Sequence, residues 1–524
     1  TSVQAGGSRA PRCCTGTAGR PATSETPSGH QPAACAWQRS RVQSASSRPD
    51  LAQLHVLGAS GSAVIAVVSA PQLVDQSAGT PGPAIVCVHV GLALLFVAWW
   101  RLGTVVHAKR GVAVGAAELR SILLWWAAPF LVCPPLFSRD VFSYLAQGAM
   151  VNAGIDIYQH GPAVLGGPIA AEVPEIWQQS AAPYGPVFVL YAAAVAGVAG
   201  TNLTIGVLGM RLVALLGVAL LVWALPRLAE RCGASPTGAL WLGALNPLVV
   251  LHCVAGAHND AVMLGLLAAG LAVAAGTRQP SLRHPTAEGW TRLACGAVLI
   301  ALAALVKVPA VLGLGFLVPL WAAGRMVSGR ARIGAGFLVG VVAGGCAVVV
   351  TSFAGTGYGW TRVLGTPVSA QNWSLTSALG RITAFVVGTG EAMTWWRWAG
   401  LLTAVVLGFV LWVGRERVGP VRAMGLAFVA IVALGPAFRP WYLLWGVIPL
   451  AASLVDERDR ELDERLRQWL AVASGALVLV VLPDGFALSF GAIGQAALGV
   501  CLALGALLAV GRLAQPRVVT VYQR

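Results

Sequence analysis

Residues 203–226 read LTIGVLGMRLVALLGVALLVWALP and carry one charge, Arg211. About 20 apolar residues suffice for a helix to cross a bilayer, and this run lacks the period-2 alternation of a barrel strand. The same pattern recurs on both sides of it. Over the whole chain of 524 residues, 57% are hydrophobic and 10% charged, with a mean hydropathy of +0.74. Soluble domains carry roughly 25% charged residues, so a soluble core of this size would lack a polar surface. Helices and closed barrels are the structures that satisfy their backbone in lipid, which leaves an all-α integral membrane protein.

Apolar runs predict spans near 54–70, 84–101, 119–137, 203–226, 237–255, 261–276, 292–306, 309–324, 332–353, 397–414, 422–437, 441–455, 468–483 and 487–511, about fourteen transmembrane helices. Residues 51–524 are therefore expected to form one polytopic domain. Residues 1–50 are rich in Ser, Arg, Pro and Ala without apolar periodicity, a composition that predicts a disordered basic tail. That tail has no apolar core of a signal peptide, and its opening on Thr1 rather than Met suggests a processed or artificial start.

A net charge of +15 would suggest a nucleic-acid partner in a soluble protein. Here no nucleic-acid module is present, and the basic residues sit between apolar runs, as positive-inside orientation requires. The short apolar stretch 186–200 decides the topology. If it is re-entrant or interfacial, only Arg139, Arg362, Arg381, Arg397 and Arg439 face outward, Arg211 and Lys307 fall within spans, and the other 28 of 35 basic residues lie on the cytoplasmic side. A crossing there would invert that balance. On this reading two long loops, 138–185 and 354–396, are extracytoplasmic, and long ordered loops are usually functional. The ten Cys show no metal-ligand spacing and are expected to act mostly as small buried hydrophobes.

Five polar groups stand out against this background. Ser138-Arg139-Asp140-Val141-Phe142-Ser143-Tyr144 places a carboxylate where the chain leaves the membrane, with helix capping as the plain structural alternative. Gly154-Ile155-Asp156-Ile157-Tyr158 and Ala182-Pro183-Tyr184-Gly185-Pro186 read as rigid turns, with Tyr184 suited to line a sugar subsite. Asn246-Pro247, followed by His258-Asn259-Asp260, gathers polar side chains amid apolar helices, where they are costly unless they face protein or a wet cavity. Lys307 sits at the Pro309 break between two short spans and is placed to meet a phosphate, unless it snorkels. Arg439-Pro440-Trp441-Tyr442 sets a lone outer Arg beside interfacial aromatics, and Arg suits phosphate recognition. No P-loop, dinucleotide fingerprint or H-E-x-x-H occurs, so an energy source would have to be an activated lipid.

Ser138-Arg-Asp140-Val-Phe-Ser-Tyr144, Ala-Pro-Tyr184-Gly-Pro, Asn246-Pro-Leu with His258-Asn-Asp260, and Pro440-Trp-Tyr-Leu-Leu-Trp445 together resemble the polyprenyl-phosphomannose-dependent α-1,6-mannosyltransferases of lipomannan and lipoarabinomannan biosynthesis. The resemblance runs from about residue 54 to the end and implies the GT-C class of multi-span glycosyltransferases in the plasma membrane, with re-entrant or interfacial helices. It implies a polyprenyl phosphomannose donor, a lipid-linked mannan acceptor, inversion at the anomeric carbon and an extracytoplasmic site. Asp140 would be the catalytic base. Lys307, Arg439 or Arg139 would hold the donor phosphate, and Asp156, Tyr184, His258, Asn259, Asp260, Trp441 and Tyr442 would contact sugar or acceptor. No cofactor is certain, and a divalent metal is left open. The rival reading is a transporter or flippase of a polyprenyl-linked substrate, but the motifs do not recur as an inverted repeat in the two halves.

Overall fold

A computed structural model describes residues 51–73, 82–108, 114–276, 286–363, 365, 374–455, 460–482 and 490–513. The expected tail, 1–50, lies outside the described residues. Among those described, every regular element is helical and no strand occurs.

Seven helices are long and apolar enough to cross a membrane: Leu51–Ser69, Gly82–Val106, Leu203–Cys232, Ala287–Val306, Gly329–Ala354, Ala392–Val413 and Phe490–Val510. An eighth candidate span, Pro236–Ala244 with Val249–Ala255, is bent by 60° at its centre. Four more of the expected spans fall on shorter apolar helices, Asp260–Ala275, Val308–Ala322, Pro420–Leu434 and Pro440–Ala451. The expected span 119–137 becomes the helix Ala116–Ala127 and a 3-10 turn, Ala128–Leu131, whereas 468–483 lies in the longer helix Arg460–Val480. Apolar side chains are left bare on the outside, Phe385 at 91% and Val198 at 82% exposure. In water such faces would drive association, whereas lipid tails solvate them at no cost. The protein is a multi-pass membrane protein.

Three expectations change in detail. The helix expected to stop at Pro226 continues to Cys232 with the proline inside it. The expected loop 354–396 contains the helix Leu375–Val387, capped by the Ser374 side chain on the Ser377 N–H. Of the cysteines among the described residues only Cys133 and Cys253 are buried, while Cys87, Cys295 and Cys501 are exposed. These three sit on apolar helices whose outward faces meet lipid, so apolar surroundings in the sequence did not mean burial in protein.

Close packing at the centre is made possible by missing side chains. A Cβ on Gly217 would meet the Ala261 backbone at 2.5 Å, and one on Gly265 would meet the Gly217 carbonyl at 2.3 Å. The helices Leu203–Cys232 and Asp260–Ala275 therefore touch backbone to backbone, in the manner of small-residue interfaces in membranes. That contact sets the position of Asp260, at the start of the second helix. The segment leading into it is two π-helical turns, Leu240–Ala244 and Val249–Ala255. Such turns concentrate at functional sites because they misalign the backbone ladder and redirect side chains.

Candidate active site

Asp140 opens the helix Asp140–Asn152, whose N-cap, Arg139, makes no side-chain cap bond. The Asp140 carboxylate, 19% exposed, lies 3.8 Å from Nδ1 of the buried His258, and the Tyr144 hydroxyl, one helical turn on, lies 3.2 Å from the same nitrogen. His258 in turn stacks on Trp441, with centroids 3.8 Å apart and planes 28° from parallel. Two segments far apart in sequence thereby meet at one imidazole.

Asp260 has a different environment. Its Oδ2 accepts a 2.8 Å bond from Lys307 Nζ and its Oδ1 a 2.7 Å bond from the Trp445 indole N–H. The helix it begins has no side-chain cap from Asn259. The Lys307 ammonium also lies 4.6 Å from the Tyr442 ring and 5.4 Å from the Trp445 ring, which stack on each other at 4.3 Å. Lys307 is thus committed to Asp260 and an aromatic floor, a geometry in which desolvated cation–π contact is strongest.

Gly185 brings Tyr184 to this floor. A Cβ there would meet the Leu305 carbonyl at 2.3 Å, and its N–H donates to Val306 O at 3.4 Å. Only glycine lets the Ala182–Pro186 turn press onto the chain just before Lys307. Tyr184 then packs against Phe188 and Tyr144, at 4.4 and 5.5 Å.

The remaining expected residues separate into two groups. Arg139 is ion-paired with Glu172 and lies over Phe142, so its charge is already compensated. Asp156 is exposed on its turn, accepting from the Tyr158 N–H at 2.8 Å and the Gln159 amide at 2.7 Å; it is not brought to Asp140. Both bonds are local, and a turn-stabilising Asp is what they describe. Arg439, by contrast, has no ion-pair partner among the described residues; its guanidinium lies over Trp177 at 5.5 Å. Its charge nevertheless reaches Asp140. Burial pushes the Asp140 carboxyl up from its ordinary value, and Arg439 and Lys307 pull it back down.

Buried polar atoms cluster around the imidazole. His258 Nε2, both nitrogens of His252, both amide atoms of Asn259 and the Trp441 indole N–H have no hydrogen-bond partner among the described residues. Each such atom costs about 1–3 kcal/mol if left unsatisfied, so water or a polar ligand would be favoured beside them. Among the described residues, no three His, Cys, Asp or Glu side chains converge to hold a metal ion.

Tyr144 and Trp445 lie inside the stretches quoted above yet were given no role there. Their position four residues after Asp140 and after Trp441, one turn along a helix, was the available signal. His252 had none, since one His in an apolar run is most simply a packed core residue.

The fold and the gathering of these side chains define a multi-pass helical membrane protein with a buried polar site at the ends of its helices. Residues 52–323 match the family described as alpha-(1->6)-mannopyranosyltransferase, N-terminal domain, and residues 372–510 match the MptB C-terminal domain. The chain is 35% identical to a probable alpha-(1->6)-mannopyranosyltransferase of Mycolicibacterium smegmatis over 76% of its own length and 77% of the relative's. It is 33% identical to an alpha-(1->6)-mannopyranosyltransferase of Mycobacterium tuberculosis over 76% of each chain. Identity to alpha-(1->6)-mannopyranosyltransferase B of Corynebacterium glutamicum is 34%, over 81% of this chain and 73% of the relative. The chain belongs to the alpha-(1->6)-mannopyranosyltransferase family.

Proposed function

We propose that the protein transfers mannose from polyprenyl phosphomannose to the 6-hydroxyl of a lipid-linked α-1,6-mannan, with inversion, at the extracytoplasmic face of the plasma membrane. The observation that carries this reading is the meeting of Asp140 with His258, within the field of Arg439, which has no carboxylate partner among the described residues. A base and a cation that is free to take an anion are what displacement of a sugar phosphate needs.

In the proposed step the acceptor oxygen attacks the anomeric carbon as its proton passes to the Asp140 carboxylate. The bond between that carbon and the phosphate oxygen breaks, and polyprenyl phosphate leaves with the electron pair. A β-linked donor then gives an α-linked product in one displacement. Arg439 neutralises the departing phosphate, a role for which a planar guanidinium is suited. Lys307 shapes the floor through Asp260, while His258, Asn259, Trp441, Tyr442 and Tyr184 surround the sugars.

Replacing Arg439 by Gln is expected to lower transfer by roughly 10- to 100-fold, the equivalent of one charge-assisted hydrogen bond of about 1.5–3 kcal/mol. Steady-state rates with labelled lipid donor measure this, and unchanged turnover would move the phosphate elsewhere. The face is tested separately: a reporter fused after Leu136 should read outside and one within 456–467 inside, following the distribution of Lys and Arg. A cytoplasmic reading after Leu136 would remove the extracytoplasmic assignment. The whole reading is tested by purified protein given labelled polyprenyl phosphomannose and a short α-1,6-mannoside in detergent. Mannosyl transfer without any transmembrane gradient is expected, whereas donor translocation in vesicles without transfer would make the protein a flippase.

A further inference from the structure

Arg211 takes no part in the step above, yet it is a charge in the middle of an apolar helix, 2% exposed. Ionisable residues at such depth are expensive and mark function by default. No carboxylate pairs with it among the described residues; its guanidinium instead donates to backbone carbonyls of two separate segments. Nη1 reaches Leu131 O at 2.9 Å and Nη2 reaches Pro134 O at 3.5 Å. Nε reaches Val254 O at 3.2 Å and Nη2 also reaches Ala255 O at 3.0 Å.

These carbonyls stand where helices stop. Leu131 ends the 3-10 turn Ala128–Leu131, and Val254 and Ala255 end the π-helical turn Val249–Ala255. Terminal carbonyls have no intrahelical partner and carry the negative end of the helix dipole, so one cation satisfies both ends. Further along each segment, three residues past Pro134 and two past Ala255, the backbone takes an unusual conformation. Phe137 and Ala257 are the two non-glycine residues with positive φ among those described, at 64° and 51°. Phe137 leads into Ser138–Asp140 and Ala257 leads into His258–Asp260. Strained backbone of this kind persists only where the surroundings over-determine it.

We propose that Arg211 is a positioning residue that clamps the bases of the Asp140 arm and the His258–Asp260 arm, and so sets the approach of Asp140 to His258. The proposal rests on the reading of Asp140 as the base. A guanidinium is required because its fork presents five donors in a fixed plane and can bridge two segments, whereas an ammonium is a point charge.

The test compares Arg211→Lys and Arg211→Gln, purified, with Asp140→Asn as reference. Expected are folded proteins by thermal unfolding, a kcat lowered at least tenfold in both, and a KM for lipid donor within about threefold of the parent, because Arg439, the proposed phosphate partner, lies on neither clamped arm. In the Asp140→Asn background Arg211→Lys should lower transfer no further, since the group it positions is already gone. Parental kcat in folded Arg211→Lys would overturn the clamp, and so would a fully additive loss in the double variant. Failure of both variants to fold would overturn it as well, making Arg211 a determinant of the bundle rather than of the arms. The base reading fails differently, through an active Asp140→Asn protein.

Discussion

Asp140→Asn is expected to reduce mannosyl transfer by ~10²–10⁴-fold, the usual contribution of a general base, with folding and lipid binding retained. A sugar hydroxyl is a poor nucleophile at neutral pH unless its proton is accepted as the new bond forms, and Asn keeps the shape of Asp without the ability to accept. Asn is also a good helix cap. A residue serving only to start the helix Asp140–Asn152 would therefore tolerate the change, and full activity in the variant would end the catalytic assignment. The pH dependence gives a second measurement. Burial raises the Asp140 carboxyl from its ordinary value, only partly opposed by Arg439 and Lys307. The working form is the deprotonated one, so transfer should rise with pH through a midpoint above that of a free carboxylate. In Asp140→Asn that acid limb should disappear from the residual rate.

Lys307→Met is expected to destabilise the protein by about 3–5 kcal/mol, the cost of removing one partner from a buried ion pair. The side chains are 9% and 0% exposed at a separation of 2.8 Å, and after the substitution Asp260 keeps only the Trp445 N–H. Exposed pairs are worth far less, so burial is what makes this prediction large. Adding Asp260→Asn should recover most of the loss, because replacing both charges together leaves no uncompensated charge in the core. Thermal unfolding of the single and double variants in detergent measures both effects. A single variant as stable as the parent would mean that the pair is solvated or dispensable. Transfer by the double variant then separates support from phosphate binding: activity within about tenfold of the parent agrees with Arg439 as the phosphate partner, and its abolition would return that role to Lys307.

The membrane class was legible in a single line of sequence. Residues 203–226 are too long, too apolar and too free of alternation to be anything but a spanning helix, a constraint that acts locally on each segment and needs no neighbour. Asp140, His258, Asp260, Lys307 and Arg439 were likewise visible, because charge and imidazole are rare in such surroundings and stand out one at a time. Pairing was not visible. That Lys307 belongs to Asp260 and Arg139 to Glu172, leaving Arg439 without a carboxylate partner among the described residues, depends on which helix ends converge, and every cation reads alike from composition. Asp156, expected to contact sugar or acceptor, bonds within its own turn, whereas Asp140, expected to be the base, faces His258. The role of Arg211 lay furthest from view, since its partners are backbone carbonyls, which every residue possesses and no sequence distinguishes. Segment-by-segment solvation by lipid was determined by the sequence itself; which charge meets which, and which is left to meet a ligand, was decided only when glycine contacts such as Gly217 with Gly265 and Gly185 with Leu305 brought the segments together.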